Sequence, residues 1–267
     1  MTTAADELWF RRLSGPPAGS AALGLLCFPS AGAGPEAFRQ LTGLLPDIAL
    51  WAVHLPGRGT RLGEEPRRSL DELAEEIAGH VVSWAGGAHP YAVLGHSMGA
   101  ALAYAVCVRL ALLPVRQPCA LVACARDAPG RPRHRRPVSH LPTPLFVEHL
   151  RRMGGTPAEV LDDPGVFAVF EPMLRADFAA AEHWRPRPAP PLGCPIAVVG
   201  SRDDPETRPA GLAAWHDLTS SAGSLDWVPG GHFFPNSHPR ALAEVLNRRL
   251  PLGQQSAGLG PQVESRF

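Results

Sequence analysis

The sequence predicts an α/β protein built on a mainly parallel central sheet flanked by helices. Short apolar runs of strand length alternate with helical patterns along the chain. The runs are almost continuously apolar, which is typical of parallel strands buried on both faces. Strands separated by helices form βαβ units, and such units generate a parallel sheet. With 267 residues, 45% of them hydrophobic, the chain can bury a core of this size.

The individual elements follow from periodicity and capping signals. The predicted strands lie at residues 22–28, 48–53, 90–94, 119–125, 195–200 and 225–228. The predicted helices lie at about 35–45, 70–84, 98–106, 143–153, 157–162, 166–184, 209–219 and 240–250. Ser69-Leu70-Asp71-Glu72 is a capping-box signature, so it places the start of one helix at Leu70.

The stretch from about 130 to 191 departs from the alternation. It holds helical patterns without a strand-like run, so we predict a helical lid inserted between two strands. The lid belongs to a single domain over 1–252, and the weakly hydrophobic tail at 253–267 is expected to be disordered. Its apolar residues either line an acyl channel or dock the lid, and both interpretations stay open. They include Leu145, Phe146, Met153, Phe167, Phe170, Met173, Leu174 and Phe178.

Gly95-His96-Ser97-Met98-Gly99 joins a buried strand to an alanine-rich helix. The pattern G-x-S-x-G in a strand–turn–helix is a nucleophile elbow, in which the serine stands on a sharp turn. Gly95 and Gly99 lack a Cβ, so strand and helix can approach closely enough to hold Ser97 on a strained tip. The sequence therefore predicts Ser97 as a nucleophile.

A serine nucleophile needs a histidine to take its proton and a carboxylate to orient that histidine. Sites in parallel sheets form at the carboxyl ends of strands, so an acid and a base should follow later strands in the order Ser, Asp, His. Asp203 is the predicted acid; its neighbour Asp204 precedes Pro205 and could instead cap the next turn. His232, in a glycine-containing loop after the last predicted strand, is the predicted base.

The other histidines on or near these elements are less suited to act as the base. His96 lies within the elbow itself and is expected to pack beside the serine. His80, His149 and His183 fall on predicted helices, where a histidine is usually exposed or satisfied by its neighbours.

Backbone N–H groups are the predicted oxyanion donors. Met98, the residue after the nucleophile, supplies one N–H, and the loop after the first buried strand supplies the other. That loop is Pro29-Ser30-Ala31-Gly32-Ala33-Gly34, in which Ala31 is the best candidate. Taken alone, the loop is equally well described as an ordinary strand–helix turn.

Composition excludes several functions. The formal net charge is zero, which argues against nucleic acid as a partner. The chain contains arginine but no lysine, which excludes a P-loop phosphate site and Schiff-base chemistry. No G-x-G-x-x-G follows a strand, so a dinucleotide fold has no support, and we expect no cofactor.

The cysteines and the N-terminus indicate the cellular compartment in which the protein is expected. The cysteines form an odd set without metal-ligand spacing, so we expect reduced core thiols and no bound metal. No apolar run reaches about 18 residues, so we expect no transmembrane helix and no membrane partner. The N-terminus has neither a basic region nor an apolar core, and a cytoplasmic location is expected. The five thiols belong to Cys27, Cys107, Cys119, Cys124 and Cys194.

Taken together, the motifs resemble those of the type II thioesterases, free-standing α/β-hydrolases that accompany polyketide synthases and non-ribosomal peptide synthetases. The resemblance runs from about Leu23 to about Leu250. The segments that carry it are Phe28-Pro29-Ser30-Ala31-Gly32-Ala33-Gly34, Leu55-Pro56-Gly57-Arg58-Gly59, Gly95-His96-Ser97-Met98-Gly99, Met153-Gly154-Gly155-Thr156-Pro157, Leu174-Arg175-Ala176-Asp177-Phe178 and Gly230-Gly231-His232-Phe233-Phe234.

The resemblance implies an α/β-hydrolase fold with Ser97, Asp203 and His232 as the triad and a helical lid that gates access. It implies hydrolysis of stalled or aberrant acyl groups from the phosphopantetheine arm of acyl or peptidyl carrier proteins. We expect a free-standing monomer. Carrier proteins are generally acidic, so the basic run Arg131–Arg136 either helps to dock one or is a solvated loop.

Other functions compete with this hypothesis. A carboxylesterase or lipase acting on oxygen esters would use the same triad, although the chain lacks a His-Gly-Gly-Gly-like oxyanion motif and a secretory signal. An inactive hydrolase fold used for binding would not need the complete set of serine, acid and histidine. A terminal domain cut from a synthase is a further alternative.

Overall fold

The computed structural model describes residues 4–17, 20–86, 90–131 and 135–252, and its centre is a seven-stranded sheet. The strand order is β1-β3-β2-β4-β5-β6-β7, with β1 antiparallel to β3 and all other neighbours parallel. The predicted mainly parallel sheet is therefore confirmed. The strands are Phe10–Ser14 (β1), Leu23–Phe28 (β2), Ile48–Val53 (β3), Tyr91–His96 (β4), Leu121–Cys124 (β5), Ile196–Gly200 (β6) and Gly223–Trp227 (β7).

Helices cover both faces of the sheet. The α-helices are Ala4–Trp9 (α1), Leu70–Trp84 (α2), Met98–Leu110 (α3), Thr143–Met153 (α4), Ala158–Asp162 (α5), Pro164–His183 (α6), Pro209–Ala213 (α7), Phe234–Ser237 (α8) and Pro239–Arg249 (α9), and the 3₁₀ helices are Pro35–Leu41, Gly59–Arg61 and Ala214–Leu218. The Ser69 hydroxyl accepts from the Glu72 N–H at 3.2 Å, as a capping box requires. The predicted start of α2 at Leu70 is confirmed.

The core follows from the two-residue period of the strands. Leu26 and Phe28 of β2 pack into an apolar cluster that contains residues of α2 and α3. Leu25 and Cys27 point to the other face, where they join residues of the first 3₁₀ helix and α9. All residues of β2 are buried, as the continuous apolar run predicts for a strand covered on both sides.

The predicted lid is present between β5 and β6. In its described residues it consists of α4, α5 and α6, without a strand that joins the sheet. Its apolar residues form a cluster of their own, which contains Phe146, Phe167 and Leu174. They therefore act mainly in packing the lid helices, although Leu145 lies 49% exposed. At the far end of α6, Ala180 belongs to the core of the body, by which we mean the sheet and the helices outside the lid.

All five cysteines are free, and Cys27, Cys107 and Cys124 are fully enclosed. Burial raises the pKa of every one of these thiols, to about 11 for Cys119. Such groups behave as small apolar side chains at neutral pH.

None of the helices in the described ranges is both long and apolar enough to cross a membrane. The tail at 253–267, which the sequence predicts to be disordered, lies outside the described residues.

Candidate active site

Ser97 stands on the turn between β4 and α3, where the elbow motif places it. Its backbone adopts φ 55° and ψ −116°, a conformation that costs a non-glycine residue free energy. The N–H of Ser97 donates to the carbonyl of Cys124, at the end of the neighbouring strand, at 2.9 Å. The strained residue is thus anchored to the carboxyl edge of the sheet, with its side chain partly accessible.

Two close backbone approaches explain the glycines of the elbow. A Cβ on Gly95 would overlap the backbone of Gly99 and Ala100, where α3 crosses the end of β4. A Cβ on Gly99 would overlap the Phe28 carbonyl, at the end of β2. The first turn of α3 is therefore pressed against both strands, which fixes the position of Ser97.

His232 lies in the loop after β7 and reaches Ser97. Its Nε2 is 2.9 Å from the Ser97 hydroxyl oxygen, and its side chain is only 5% exposed. The structure thus brings together two predicted site residues that are 135 positions apart in the chain. Phe233 packs edge-on against the imidazole, with ring centroids 5.1 Å apart, and helps to fix its orientation.

The structure places Asp204, and not the predicted Asp203, against His232. The Asp204 carboxylate oxygens lie 3.0 and 3.1 Å from Nδ1 of His232, and the carboxylate is fully buried. The Asp204 N–H donates to the Ser201 carbonyl and closes a turn. This turn directs Asp204 back toward the sheet and leaves Asp203 exposed. The expectation for the acid is thus corrected by one position.

Asp204 also performs the capping role that the sequence offered as its alternative. Its Oδ1 accepts from the Glu206 N–H at 2.8 Å. Because an ionised carboxylate only accepts, Nδ1 of His232 carries the proton and leaves the Nε2 lone pair facing Ser97. The arrangement can therefore remove the Ser97 proton.

His96 supports the His232 loop through a hydrogen bond and a ring contact. Its Nε2 donates to the His232 carbonyl at 2.8 Å, and its ring lies in contact with that of His232. Burial, and in second place the neighbouring His232, lower the pKa of His96 to about 3. His96 is thus a neutral hydrogen-bond donor to the loop, in agreement with the expectation that it packs beside the serine.

The two predicted oxyanion donors lie on neighbouring backbones, because the first turn of α3 contacts the Phe28 and Pro29 carbonyls, just before the turn that holds Ala31. Met98 begins α3, and Ala31 lies in a turn closed by the Ala33 N–H and the Ser30 carbonyl at 3.0 Å. Within the described ranges, neither the Met98 nor the Ala31 N–H has a hydrogen-bond acceptor. Their role as oxyanion donors stays a prediction, with which the lack of an internal acceptor agrees.

A buried ion pair that sequence reasoning missed holds the same turn. The Arg58 guanidinium donates to both oxygens of Asp177, at 2.7 and 2.8 Å. The Gly32 N–H also donates to Asp177 at 2.8 Å, and Arg58 donates to the Ala33 carbonyl at 3.0 Å. Both charged residues lie in segments that carry the resemblance, but 119 positions separate them. Only the fold shows that they meet.

The lid touches the site at two glycines. A Cβ on Gly32, at φ 78°, would lie 2.5 Å from Leu174 of α6. A Cβ on Gly155, at φ 89° in the loop after α4, would overlap the ring of Phe233. The lid therefore rests on the turn that holds Ala31 and on the loop that holds His232.

No group of three His, Cys, Asp or Glu side chains in the described part of the chain is arranged to hold a metal ion. The polar groups that converge on the site are Ser97, His232, Asp204 and the backbone donors.

Comparison with known proteins identifies the family. The model of the Thioesterase domain matches residues 24–250, which is most of the chain. The chain belongs to the thioesterase family. It is therefore a hydrolase of the α/β fold acting on thioesters, as the sequence motifs indicate.

Relatives of this thioesterase include named thioesterases and a biosynthesis protein. It is 31% identical to the gramicidin S biosynthesis protein GrsT of Aneurinibacillus migulanus, covering 87% of this chain and 91% of GrsT. It is 32% identical to the thioesterase PikA5 of Streptomyces venezuelae, covering 91% and 85%. The structure of the type II thioesterase BorB from the borrelidin biosynthetic cluster matches with a TM-score of 0.77 at 32% identity, covering 90% and 95%. The resemblance to type II thioesterases is confirmed.

Two described arginines of the basic run Arg131–Arg136 make contacts with the rest of the thioesterase. Arg131 pairs with Asp217 at 2.5 Å, and Arg135 donates to the Pro205 carbonyl at 2.6 Å. Residues 132–134 lie outside the described residues. Arg131 thus contacts the 3₁₀ helix Ala214–Leu218 and Arg135 contacts the loop that follows β6, and a role of the run in docking a carrier stays a prediction.

Proposed function

We propose that this chain hydrolyses acyl groups from the phosphopantetheine arm of acyl or peptidyl carrier proteins, through an acyl-Ser97 intermediate. The observation that carries the proposal is the continuous hydrogen-bonded line from Ser97 through His232 to Asp204. Carrier-bound acyl groups are the substrates that the names and titles of its relatives favour, because those proteins serve peptide and polyketide pathways.

In the first half-reaction, Ser97 attacks the thioester carbonyl carbon while His232 Nε2 takes the hydroxyl proton. Asp204 accepts from Nδ1 and stabilises the imidazolium that forms. The carbonyl oxygen becomes an oxyanion, which the N–H groups of Met98 and Ala31 bind. The C–S bond then breaks, His232 returns its proton to the departing sulfur, and the acyl group remains on Ser97.

In the second half-reaction, water replaces the thiol. His232 takes a proton from the water, whose oxygen attacks the acyl carbon and forms a second oxyanion. Collapse breaks the bond to the Ser97 oxygen, which recovers its proton from His232. The products are a free carboxylic acid and the carrier thiol.

The leaving group suits this arrangement. A thiol has a pKa of about 8.5, so a thiolate leaves far more readily than an alkoxide or an amide nitrogen. Proton donation by His232 is correspondingly less demanding. An oxygen ester would need more help from the same side chain, which favours thioesters over the competing esterase hypothesis.

The test is Ser97→Ala, assayed with an acyl-loaded carrier protein, an acyl-CoA and a p-nitrophenyl ester. We expect the variant to lose turnover of all three, because residual rates without the triad are lower by orders of magnitude. Ser220→Ala, at an exposed serine whose hydroxyl donates to the Leu192 carbonyl near the opposite end of the sheet, is the matched control and should retain activity.

The parent chain should prefer the carrier-bound thioester to the other two substrates. Undiminished turnover in Ser97→Ala would overturn the mechanism. A preference for the p-nitrophenyl ester would instead favour an esterase. Full carrier binding with no turnover by the parent chain would favour an inactive binding protein.

The monomeric state, the single domain over 1–252 and the cytoplasmic location remain predictions from the sequence. Sedimentation of the full chain over a range of concentrations tests the first of them.

A further inference from the structure

We propose that Arg58 and Asp177 are positioning residues that hold the turn at 30–33 ready to bind the oxyanion, and that lid helix α6 thereby completes the site. The inference rests on the proposed acyl-Ser97 chemistry, because it concerns the Ala31 N–H. It assigns a role in catalysis to an ion pair that touches neither Ser97 nor His232.

The ion pair binds the backbone of the two residues that follow Ala31. Asp177 accepts the Gly32 N–H, and Arg58 donates to the Ala33 carbonyl. The Ala33 N–H closes the turn on the Ser30 carbonyl. With these groups fixed, the peptide between Ser30 and Ala31 has little freedom to rotate. The Ala31 N–H is then preorganised, which is the condition for effective oxyanion binding.

The ion pair of Arg58 and Asp177 fixes local geometry more than it contributes to the free energy of folding. The side chains of Arg58 and Asp177 are 6% and 1% exposed, and a buried ion pair of this kind is often no more stabilising than apolar residues of the same size. All five N–H groups of the guanidinium find acceptors, on Asp177, the Ala33 carbonyl and the Pro56 carbonyl. A lysine could not make this planar set of bonds.

Asp177 lies where the lid cluster meets the body. Leu174, one turn earlier in α6, belongs to the lid cluster and contacts Gly32. Ala180 and Ala181, one turn later, belong to the core of the body. A displacement of α6 at this point would withdraw the acceptor from the Gly32 N–H. The turn is therefore complete only while α6 is seated on the body.

The experiment compares Arg58→Lys, Asp177→Asn and Asp177→Glu with the parent chain, using a soluble N-acetylcysteamine thioester as substrate. We expect kcat per active site to fall about tenfold or more, a fraction of the 10²–10³ lost with an entire oxyanion donor. KM should stay nearly constant, because the lost interaction forms in the transition state. Active sites are counted by phosphonylation with a fluorophosphonate.

A trifluoromethyl ketone carrying the same acyl chain provides the second readout. It forms a tetrahedral adduct with an oxyanion, so its Ki should rise in proportion to the loss of kcat/KM. A merely structural role would lower the number of active sites and the Tm without changing Ki per site. Arg109→Lys, at a partly buried arginine paired with Asp71 between α2 and α3, is the control and should keep both kcat and Ki.

Asp177→Glu keeps both charges and displaces the carboxylate by one methylene, so it tests the geometry without leaving the buried Arg58 guanidinium unpaired. Unchanged kcat and Ki per site in Arg58→Lys and Asp177→Glu would overturn the positioning role. Ser97→Ala is measured alongside them. If it is inactive while these variants keep full activity, only the present inference fails; if it is active, the proposed function fails.

Discussion

At the residue scale, two adjacent carboxylates lie in different environments. Asp204 is buried against His232, and Asp203 is exposed at the tip of the same turn. The sequence could not distinguish them, because either side chain can follow a strand end and only the direction of the turn selects one. The step of one residue changes which carboxylate orients the histidine.

Asp204→Asn should therefore abolish most of the activity, and Asp203→Asn should not. An amide at position 204 permits the wrong tautomer of His232, an exchange that costs about 10⁴ in kcat in another Ser-His-Asp enzyme. Steady-state hydrolysis of an acyl thioester by both variants measures this difference. A larger loss in Asp203→Asn than in Asp204→Asn would contradict the assignment read from the structure.

Other residues of the site differ in how far sequence predicts them. Ser97 and His232 are predictable because each lies in a motif whose position relative to a strand is fixed by the chemistry. Arg58 and Asp177 are not, because neither carries a recognisable signature alone and their contact depends on how the lid docks.

At the scale of elements, the lid loop after α4 depends on a glycine. Gly155 has a positive φ and faces the ring of Phe233, the neighbour of His232. Gly154 also has a positive φ, but beyond its own chain neighbours no described atom lies within 4 Å of the position of a Cβ there. Substitutions at these two glycines therefore distinguish the effect of backbone strain from the effect of contact with the loop that holds His232.

We expect Gly155→Ala to lower kcat about tenfold or more, because a methyl group there must displace Phe233 and with it His232. Gly154→Ala should lose stability of about 1–3 kcal/mol from strain, with turnover close to that of the parent chain. Thermal unfolding and thioester hydrolysis of both variants provide the measurement. Equal effects on turnover would show that strain alone matters.

The order of most elements was predictable, because apolar runs and helical periods are local properties. The strand β1 was not predicted. Its segment carries Arg11 and Arg12 and pairs only with β3, at the edge of the sheet, with an irregular register near Ser14. The predicted helix at 209–219 divides into α7 and a 3₁₀ helix, a change that follows from packing rather than from local pattern.

At the scale of the whole molecule, the buried His96 links stability to pH. The folded chain keeps His96 neutral until about pH 3, whereas the unfolded chain protonates it near the ordinary pKa of 6.5. Between these values the unfolded state binds more protons, so stability falls as pH falls, by up to about 1.4 kcal/mol per pH unit. Above pH 6.5 the contribution is constant. His54 adds a term of the same sign, because burial lowers its pKa.

His96→Gln should flatten this dependence between pH 6 and about pH 4.5, since an amide donates to the His232 carbonyl without titrating. Denaturant unfolding across that range measures the slope for the parent chain and the variant. Exposed His140→Gln is the control and should keep the parent slope. The difference between the variants isolates His96 from His232 and Asp204, the titratable groups that face it.

The enclosed cysteines have a consequence for an enzyme that handles thioesters. Thiolates exchange with thioesters, so an ionised cysteine near the substrate would capture the acyl group and leave the enzyme modified. Burial raises the pKa of all five thiols of this chain, which favours the protonated form at neutral pH, and it encloses Cys27, Cys107 and Cys124. The chain thus releases a thiol in every turnover while its own thiols stay in the protonated form, which competes poorly with water for the acyl group.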